Sequence, residues 1–147
     1  MKKYKIGYTT GVFDMFHIGH LNLLRRAKEQ CEYLIVGVST DELVEIRKHK
    51  KTIMSFEERS TIVEAIRYVD RVIPQRDMNK LDIVKQLKSD VVFVGSDWKG
   101  TKAWEKYERQ FASIGCDVVY LPHTDGISST LLSLKISEFN APDKENS

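Results

Sequence analysis

Cysteine is scarce in this chain, long hydrophobic runs are absent, and neither sign of charge dominates. Two cysteines, Cys31 and Cys116, among 147 residues do not make a disulfide framework, and both are expected as buried or free thiols. No apolar run approaches the roughly 20 residues that a bilayer-spanning helix needs, so no membrane partner is expected. The opening stretch MKKYKIGYTT carries lysines with no apolar segment behind them; no signal peptide is read there, and the cytoplasm is the expected compartment. A net charge of +2 and the lack of any basic-aromatic repeat argue against a nucleic-acid partner. Internal repeats, linkers and a second domain are also missing.

What is present is an ordinary globular composition, 41% hydrophobic and 30% charged, enough for one domain with an apolar core. That domain is expected over residues 1–139, with 140–147, NAPDKENS, as a disordered polar tail. Short apolar runs alternate with amphipathic stretches. Strands are expected at 5–10, 33–39, 71–75, 91–95 and 117–122. Helices are expected at 17–30, with Leu21, Leu24, Ala27 and Cys31 on one face, then briefly from Thr40, and at 55–69, 80–88, 102–115 and 128–139. Residues 45–54, EIRKHKKTIM, read as a polar loop, and Ser55 with Glu58 has the spacing of a capping box. Strictly alternating strands and helices imply a doubly wound, five-stranded parallel α/β sheet. In such sheets ligands sit beyond the carboxyl ends of the strands.

The residues with chemistry fall after strands. His17, Gly19 and His20, in HIGH, stand where the first strand hands over to a helix. Paired imidazoles there fit core packing, a metal site or a grip on phosphate. Zinc wants three or four ligands, and no third lies nearby. A helix amino terminus offers free N–H groups and partial positive charge to an anion. Histidine adds a donor, or a full charge if the anion raises its pKa. Gly19 would allow close approach, Gly11 would serve the turn, and Asp14 would hold the loop. GYTTGVF lacks the dinucleotide-binding glycine spacing, and GSDWKGT lacks the Lys-Ser/Thr of a P-loop. RKHKK, 47–51, is either a solvated face or a loop that closes over anions. Arg59 and Arg67 suit surface pairing with Glu57, Glu58 or Glu64. Ser128 and Ser129 suit helix caps or phosphate ligands.

GVFDMFHIGH closely resembles the (T/C)-x-x-G-x-F-D-x-x-H-x-G-H signature of the cytidylyltransferase-like nucleotidyltransferases. STDE (39–42), RYVDRVIP (67–74) and TDGISST (124–130) resemble further segments of that family, and of its bacterial branch acting on glycerol-3-phosphate. The resemblance spans residues 4–135. It implies a Rossmann-like nucleotidyltransferase fold and an enzyme that transfers CMP from CTP to a small phosphorylated alcohol, releasing pyrophosphate. Glycerol-3-phosphate is the expected acceptor and CDP-glycerol the product, a precursor of teichoic-acid-like or capsular polymers. Phosphocholine, phosphoethanolamine or a sugar phosphate are the alternative acceptors, and a non-catalytic nucleotide-binding module is the alternative of another class.

The same resemblance assigns roles. His17 and His20 would contact the triphosphate, and Lys48 and Lys50 would reach the α-phosphate and the acceptor phosphate. Thr10, Gly11, Phe13, Asp14, Gly19 and Asp97 would bind CTP, together with Thr124, Gly126, Ile127, Ser128 and Ser129. Lys50, Asp41, Arg59, Arg67, Trp98 and His123 would bind the acceptor. RYVDRVIP implies a homodimer. Mg²⁺ is implied with the triphosphate, with no dedicated metal motif in the chain. A choline acceptor would need an aromatic cage, for which Trp98, Trp104 and Tyr107 are available. His123 stands where many family members carry an arginine, and it offers fewer donors. Asp125 for Glu and Ser129 for Thr are milder departures.

Overall fold

The computed structural model describes residues 2–140; of the tail expected at 140–147, Asn140 ends the last helix and 141–147 lie outside the described residues. Five strands, β1 (Tyr4–Gly11), β2 (Cys31–Ser39), β3 (Arg71–Gln75), β4 (Val91–Gly95) and β5 (Asp117–Leu121), form one sheet in the order β3-β2-β1-β4-β5. Every neighbouring pair is parallel. The helices are α1 (Ile18–Gln30), α2 (Asp41–Lys48), α3 (Phe56–Glu64), α4 (Lys80–Leu87), α5 (Lys102–Ala112) and α6 (Ser129–Asn140). The chain winds outward from β1 to β3, then returns to β4 on the other side of β1. That reversal leaves a crevice at the carboxyl ends of β1 and β4, the usual ligand position in an open parallel sheet.

Side-chain alternation along the buried strands builds two cores. Leu34, Val36 and Val38 of β2, with Val91 and Phe93 of β4, face Leu24 and Ala27 of α1 and Val63 of α3. Ile35, Val92 and Val94 face the other way, against Val84 of α4 and Trp104 and Phe111 of α5. The parallel sheet is covered on both sides, which explains why its strands read as continuous apolar runs. Gly7 lets the first core pack directly against β1: a Cβ there would come 2.6 Å from Cε2 of Phe93 and 2.9 Å from Sγ of Cys31.

Three boundaries differ from the sequence expectation by three residues or more. The stretch 45–54 is not a loop throughout, because α2 continues to Lys48. Thr40 caps it, Asp41 and Glu42 sit at its positive end, Arg47 and Lys48 sit at its negative end, and His49 closes it at φ 53°. α3 ends at Glu64 rather than 69; Ile66 N–H and Val69 N–H bond three residues back, and this tight turn delivers the chain to β3. α5 ends at Ala112 rather than 115. The Ser55–Glu58 capping box is present at the start of α3.

Leu24 is fully buried and holds α1 on the sheet. Leu24→Ala is expected to cost about 2–5 kcal/mol, read as a lower urea midpoint with an unchanged slope.

Candidate active site

The turn from β1 into α1 is the centre of the site. His17 is the amino-terminal cap of α1, and its Nδ1 accepts the N–H of Gly19 at 3.1 Å. His20 returns the favour: its Nδ1 accepts the N–H of His17 at 3.2 Å. The two rings stack with centroids 3.8 Å apart. With both Nδ1 atoms accepting backbone protons, each neutral ring carries its own proton on Nε2. His20 lies 5.3 Å from the ring of Phe13 and 5.3 Å from that of Phe16. Burial, with His17 adding to it, pushes His20 down to about 4, although Asp14 opposes the shift. Burial lowers His17 as well. Both imidazoles are therefore neutral Nε2–H donors at neutral pH, not charged groups.

Close packing dictates the two glycines. A Cβ on Gly19 would come 2.8 Å from Cε1 of His17, and one on Gly11 would come 2.8 Å from the Phe13 ring. Phe13 and Met15 hold left-handed backbone, at φ 56° and 48°, a conformation bulky residues avoid unless their surroundings enforce it.

A cavity of about 410 Å³ opens beside the histidines. Thr10, Gly11 and Phe13 line it from β1 and its turn, and His17, Gly19 and His20 from α1. Asp97 and Trp98 enter after β4. His123, Thr124, Ile127, Ser128 and Ser129 enter after β5, and Lys48 from the end of α2. A second cavity, also about 410 Å³, lies across a wall that includes Phe13, His20, Lys48 and Ser129, and it adds Asp14 and Lys50. Burial, then Lys50 and Arg47, lower the pKa of Lys48, against Asp14.

Other expected residues have structural work. The Asp14 carboxylate accepts the N–H groups of Ile53 and Met54 at 2.8 and 2.9 Å, so it anchors the lysine segment. Asp41 was expected at the acceptor; its carboxylate instead takes the Phe56 N–H at 3.1 Å and the Arg59 guanidinium at 2.7 Å. Arg59 was also expected there, yet it is fully buried and lines neither cavity. Its donors are directed to Asp41 and to the carbonyls of Val12, Ser39 and Met54. Arg67 is exposed, bonds the Tyr68 hydroxyl at 3.1 Å and lines neither cavity. Gly126, at φ 78°, shapes the last turn without lining them. Ser128 caps α6 by accepting the Leu131 N–H at 3.0 Å, which leaves its hydroxyl proton to donate. The Ser129 hydroxyl donates to the Asp14 carbonyl at 2.5 Å.

Three residues that the sequence did not single out belong beside the site. Lys80, at the start of α4, donates to Thr10 Oγ1 at 2.7 Å. It lies over the rings of Trp104 and Tyr107, at 5.6 and 5.7 Å. Burial and then Arg47 lower its pKa to about 8. Its one sequence signal was a lysine placed directly after a helix cap. It also occupies the aromatic pair that a choline cage would need. Asn22 donates to Thr124 Oγ1 at 3.1 Å, and Arg26 to the Pro122 carbonyl at 3.0 Å, tying the last turn to α1. Among the described residues no group of three His, Cys, Asp or Glu is placed to hold a metal.

A doubly wound sheet with paired imidazole donors at its first helix mouth, lysines around them and a cavity the size of a nucleotide defines a nucleotidyltransferase-type protein. A family model described as cytidylyltransferase-like matches residues 8–133, and the chain belongs to that family. It is 43% identical over 129 residues to the glycerol-3-phosphate cytidylyltransferase of Staphylococcus aureus, covering 87% of this chain and 92% of that one. It is 37% identical over 124 residues to the FAD synthase of Thermococcus sibiricus, covering 83% and 84%. The solved lipopolysaccharide core biosynthesis protein of Thermoplasma volcanium has the same fold at a TM-score of 0.68 and 25% identity, covering 82% of this chain and 97% of that one.

The low pKa of His20 has a consequence for stability. The unfolded chain takes up this proton near 6.5, and the folded chain only near 4. Stability is therefore expected to fall as pH drops through that window, by roughly 3 kcal/mol at its lower end. Denaturant titrations from pH 7 to 4.5 check this, and His20→Gln should flatten the slope.

Proposed function

We propose that this chain transfers CMP from CTP to glycerol-3-phosphate, giving CDP-glycerol and pyrophosphate. The observation that carries the reading is the stacked His17–His20 pair, with both Nδ1 atoms committed to the backbone and both Nε2–H groups left to donate. Similarity to the Staphylococcus enzyme over most of both chains supports the choice of acceptor.

An oxygen of the acceptor phosphate forms a bond to the α-phosphorus of CTP, and the bond from that phosphorus to the bridging oxygen breaks. The electron pair leaves with pyrophosphate. No covalent enzyme intermediate is needed, so the protein's contribution is positioning and charge stabilisation. His17 and His20 donate to triphosphate oxygens as fixed neutral dipoles. Neutral donors suit this position because they need not lose a proton when the product departs. Lys48 and Lys50 supply the positive charge that lets two phosphates approach each other. Asp97, Trp98, Thr124, Ile127 and Ser128 close the CTP cavity from β4 and β5. Mg²⁺, when bound with the triphosphate, would supply further charge neutralisation. Both Asp14 oxygens hold backbone N–H groups, so the ion is expected to travel on phosphate oxygens and water rather than in a protein cage.

Lys80 over Trp104 and Tyr107 disfavours a quaternary ammonium acceptor, because a second cation would meet the first. No helix among the described residues is long and apolar enough to cross a membrane. Cys31 and Cys116 are free and buried, in keeping with a cytoplasmic enzyme. We place exposed Arg67 and half-buried Tyr68 in a homodimer contact. CDP-glycerol would serve as donor to a teichoic-acid-like or capsular polymer.

The test is pyrophosphate release with CTP, ATP and UTP, each crossed with glycerol-3-phosphate, phosphocholine and phosphoethanolamine. Turnover is expected with CTP and glycerol-3-phosphate and at least about 100-fold less elsewhere. His17→Ala or His20→Ala should lower kcat by roughly 100- to 1,000-fold each. A wild-type chain that binds CTP without releasing pyrophosphate would make it a nucleotide-binding module instead. His123→Arg should keep or raise activity; its collapse would mean that the last turn holds the phosphates differently.

A further inference from the structure

The segment between α2 and α3 follows Lys48, the last residue of α2, and carries Lys50; no strand or helix fixes its own backbone. Its far end is held from three directions. Asp14, in the turn after β1, accepts the N–H groups of Ile53 and Met54. Asp41, at the start of α2, accepts the Phe56 N–H and lies 3.3 Å from the Thr52 hydroxyl. Arg59, from the first turn of α3, reaches between them. One of its Nη atoms donates to the carbonyl of Val12, just past β1, at 2.7 Å, and to that of Ser39, the last residue of β2, at 2.8 Å. Nε donates to the Met54 carbonyl at 3.0 Å, and the other Nη to Asp41 at 2.7 Å.

We infer that Arg59 is a positioning residue: its buried guanidinium clamps the lysine segment to the carboxyl ends of β1 and β2 and thereby sets where Lys48 and Lys50 stand beside the histidines. A guanidinium suits this job because its donors leave in fixed, coplanar directions and meet several acceptors at once; an ammonium is a point charge without that fork. The guanidinium is completely buried, while its partner Asp41 is 48% exposed. The clamp therefore has a rigid inner half and an outer half that solvent reaches. Phe56 packs against the first core and stands 6.0 Å from the guanidinium, which limits sideways motion. The Thr52 hydroxyl also bonds the Met54 carbonyl at 2.6 Å, closing the segment on itself. Arg59 lines neither cavity at the site, so it acts on the reaction only through the lysines. The kinetic half of the inference rests on the proposed CMP transfer; the conformational half does not.

The experiment compares wild type, Arg59→Lys and Asp41→Asn in two measurements. The first is the rate of trypsin cleavage after Arg47, Lys48, Lys50 and Lys51 under native conditions, with the cut sites located by mass spectrometry. Both variants are expected to be cut there about 10-fold faster, with other sites unchanged. The second is steady-state pyrophosphate release. The variants should lose roughly 10- to 100-fold in kcat/KM for glycerol-3-phosphate. The KM for CTP should move less than about 3-fold, since the histidines and the last turn still hold CTP. A purely structural Arg59 would lower the melting temperature without opening this segment or splitting the two KM values. Unchanged cleavage, or CTP and acceptor KM values rising together, would overturn the inference. If Arg59→Lys does not fold, Asp41→Asn decides by the same two readings. If wild type transfers nothing to glycerol-3-phosphate, the proposed function fails, and the cleavage rates still judge the clamp.

Discussion

The reciprocal hydrogen bonds between His17 and His20 are the constraint on which the site depends. A helix amino terminus must satisfy free N–H groups, and most helices do so with a serine, threonine or aspartate. Here two imidazoles perform the capping. Each ring spends Nδ1 on the backbone, so its tautomer and direction are fixed before any ligand arrives. Burial against Phe13 and Phe16 keeps His20 uncharged, and stacking ties His17 to it. The cap and the candidate catalytic pair are one device. The left-handed backbone of Phe13 and Met15 belongs to the same device, because it turns the chain sharply enough to place the cap over the sheet edge.

Around this pair, charge and scaffolding are separated. The imidazoles supply direction without net charge. Lys48 and Lys50 supply charge, Lys80 stands behind Thr10, and burial lowers the pKa of Lys48 and Lys80. Asp14, Asp41 and Arg59, which the family resemblance placed among ligand-binding groups, spend their donors and acceptors on holding loops, whereas Asp97 faces the cavity. A residue whose donors and acceptors are already satisfied by the chain has little left for a substrate. Ser129, with its hydroxyl proton on the Asp14 carbonyl, is an intermediate case, and Ser128 keeps a proton free.

The local signals in the sequence were strong where one residue decides the outcome. Ser55 and Glu58 cap α3 as their spacing says, and the apolar runs at 33–39 and 91–95 are central strands. They were weak where a helix end depends on neighbours. α2 runs on to Lys48 because Leu43 and Val44 are buried and the charges at both ends suit the helix; four basic residues within RKHKK hid that continuation.

Alternating apolar runs, turn residues and the histidine spacing determined the parallel sheet, its helices and the position of the site at the strand ends, because these follow from periodicity and local hydrogen bonding. Only tertiary structure decided which polar side chains remain free to act. Arg59 became a buried clamp because the ends of β1 and β2 bring two carbonyls to the same place. Lys80 came to back Thr10 because α4 starts beside it, 70 residues away in sequence. The uncharged state of the histidines likewise came from packing. Burial and long-range hydrogen bonding have no counterpart in sequence spacing, and they set what each group can donate.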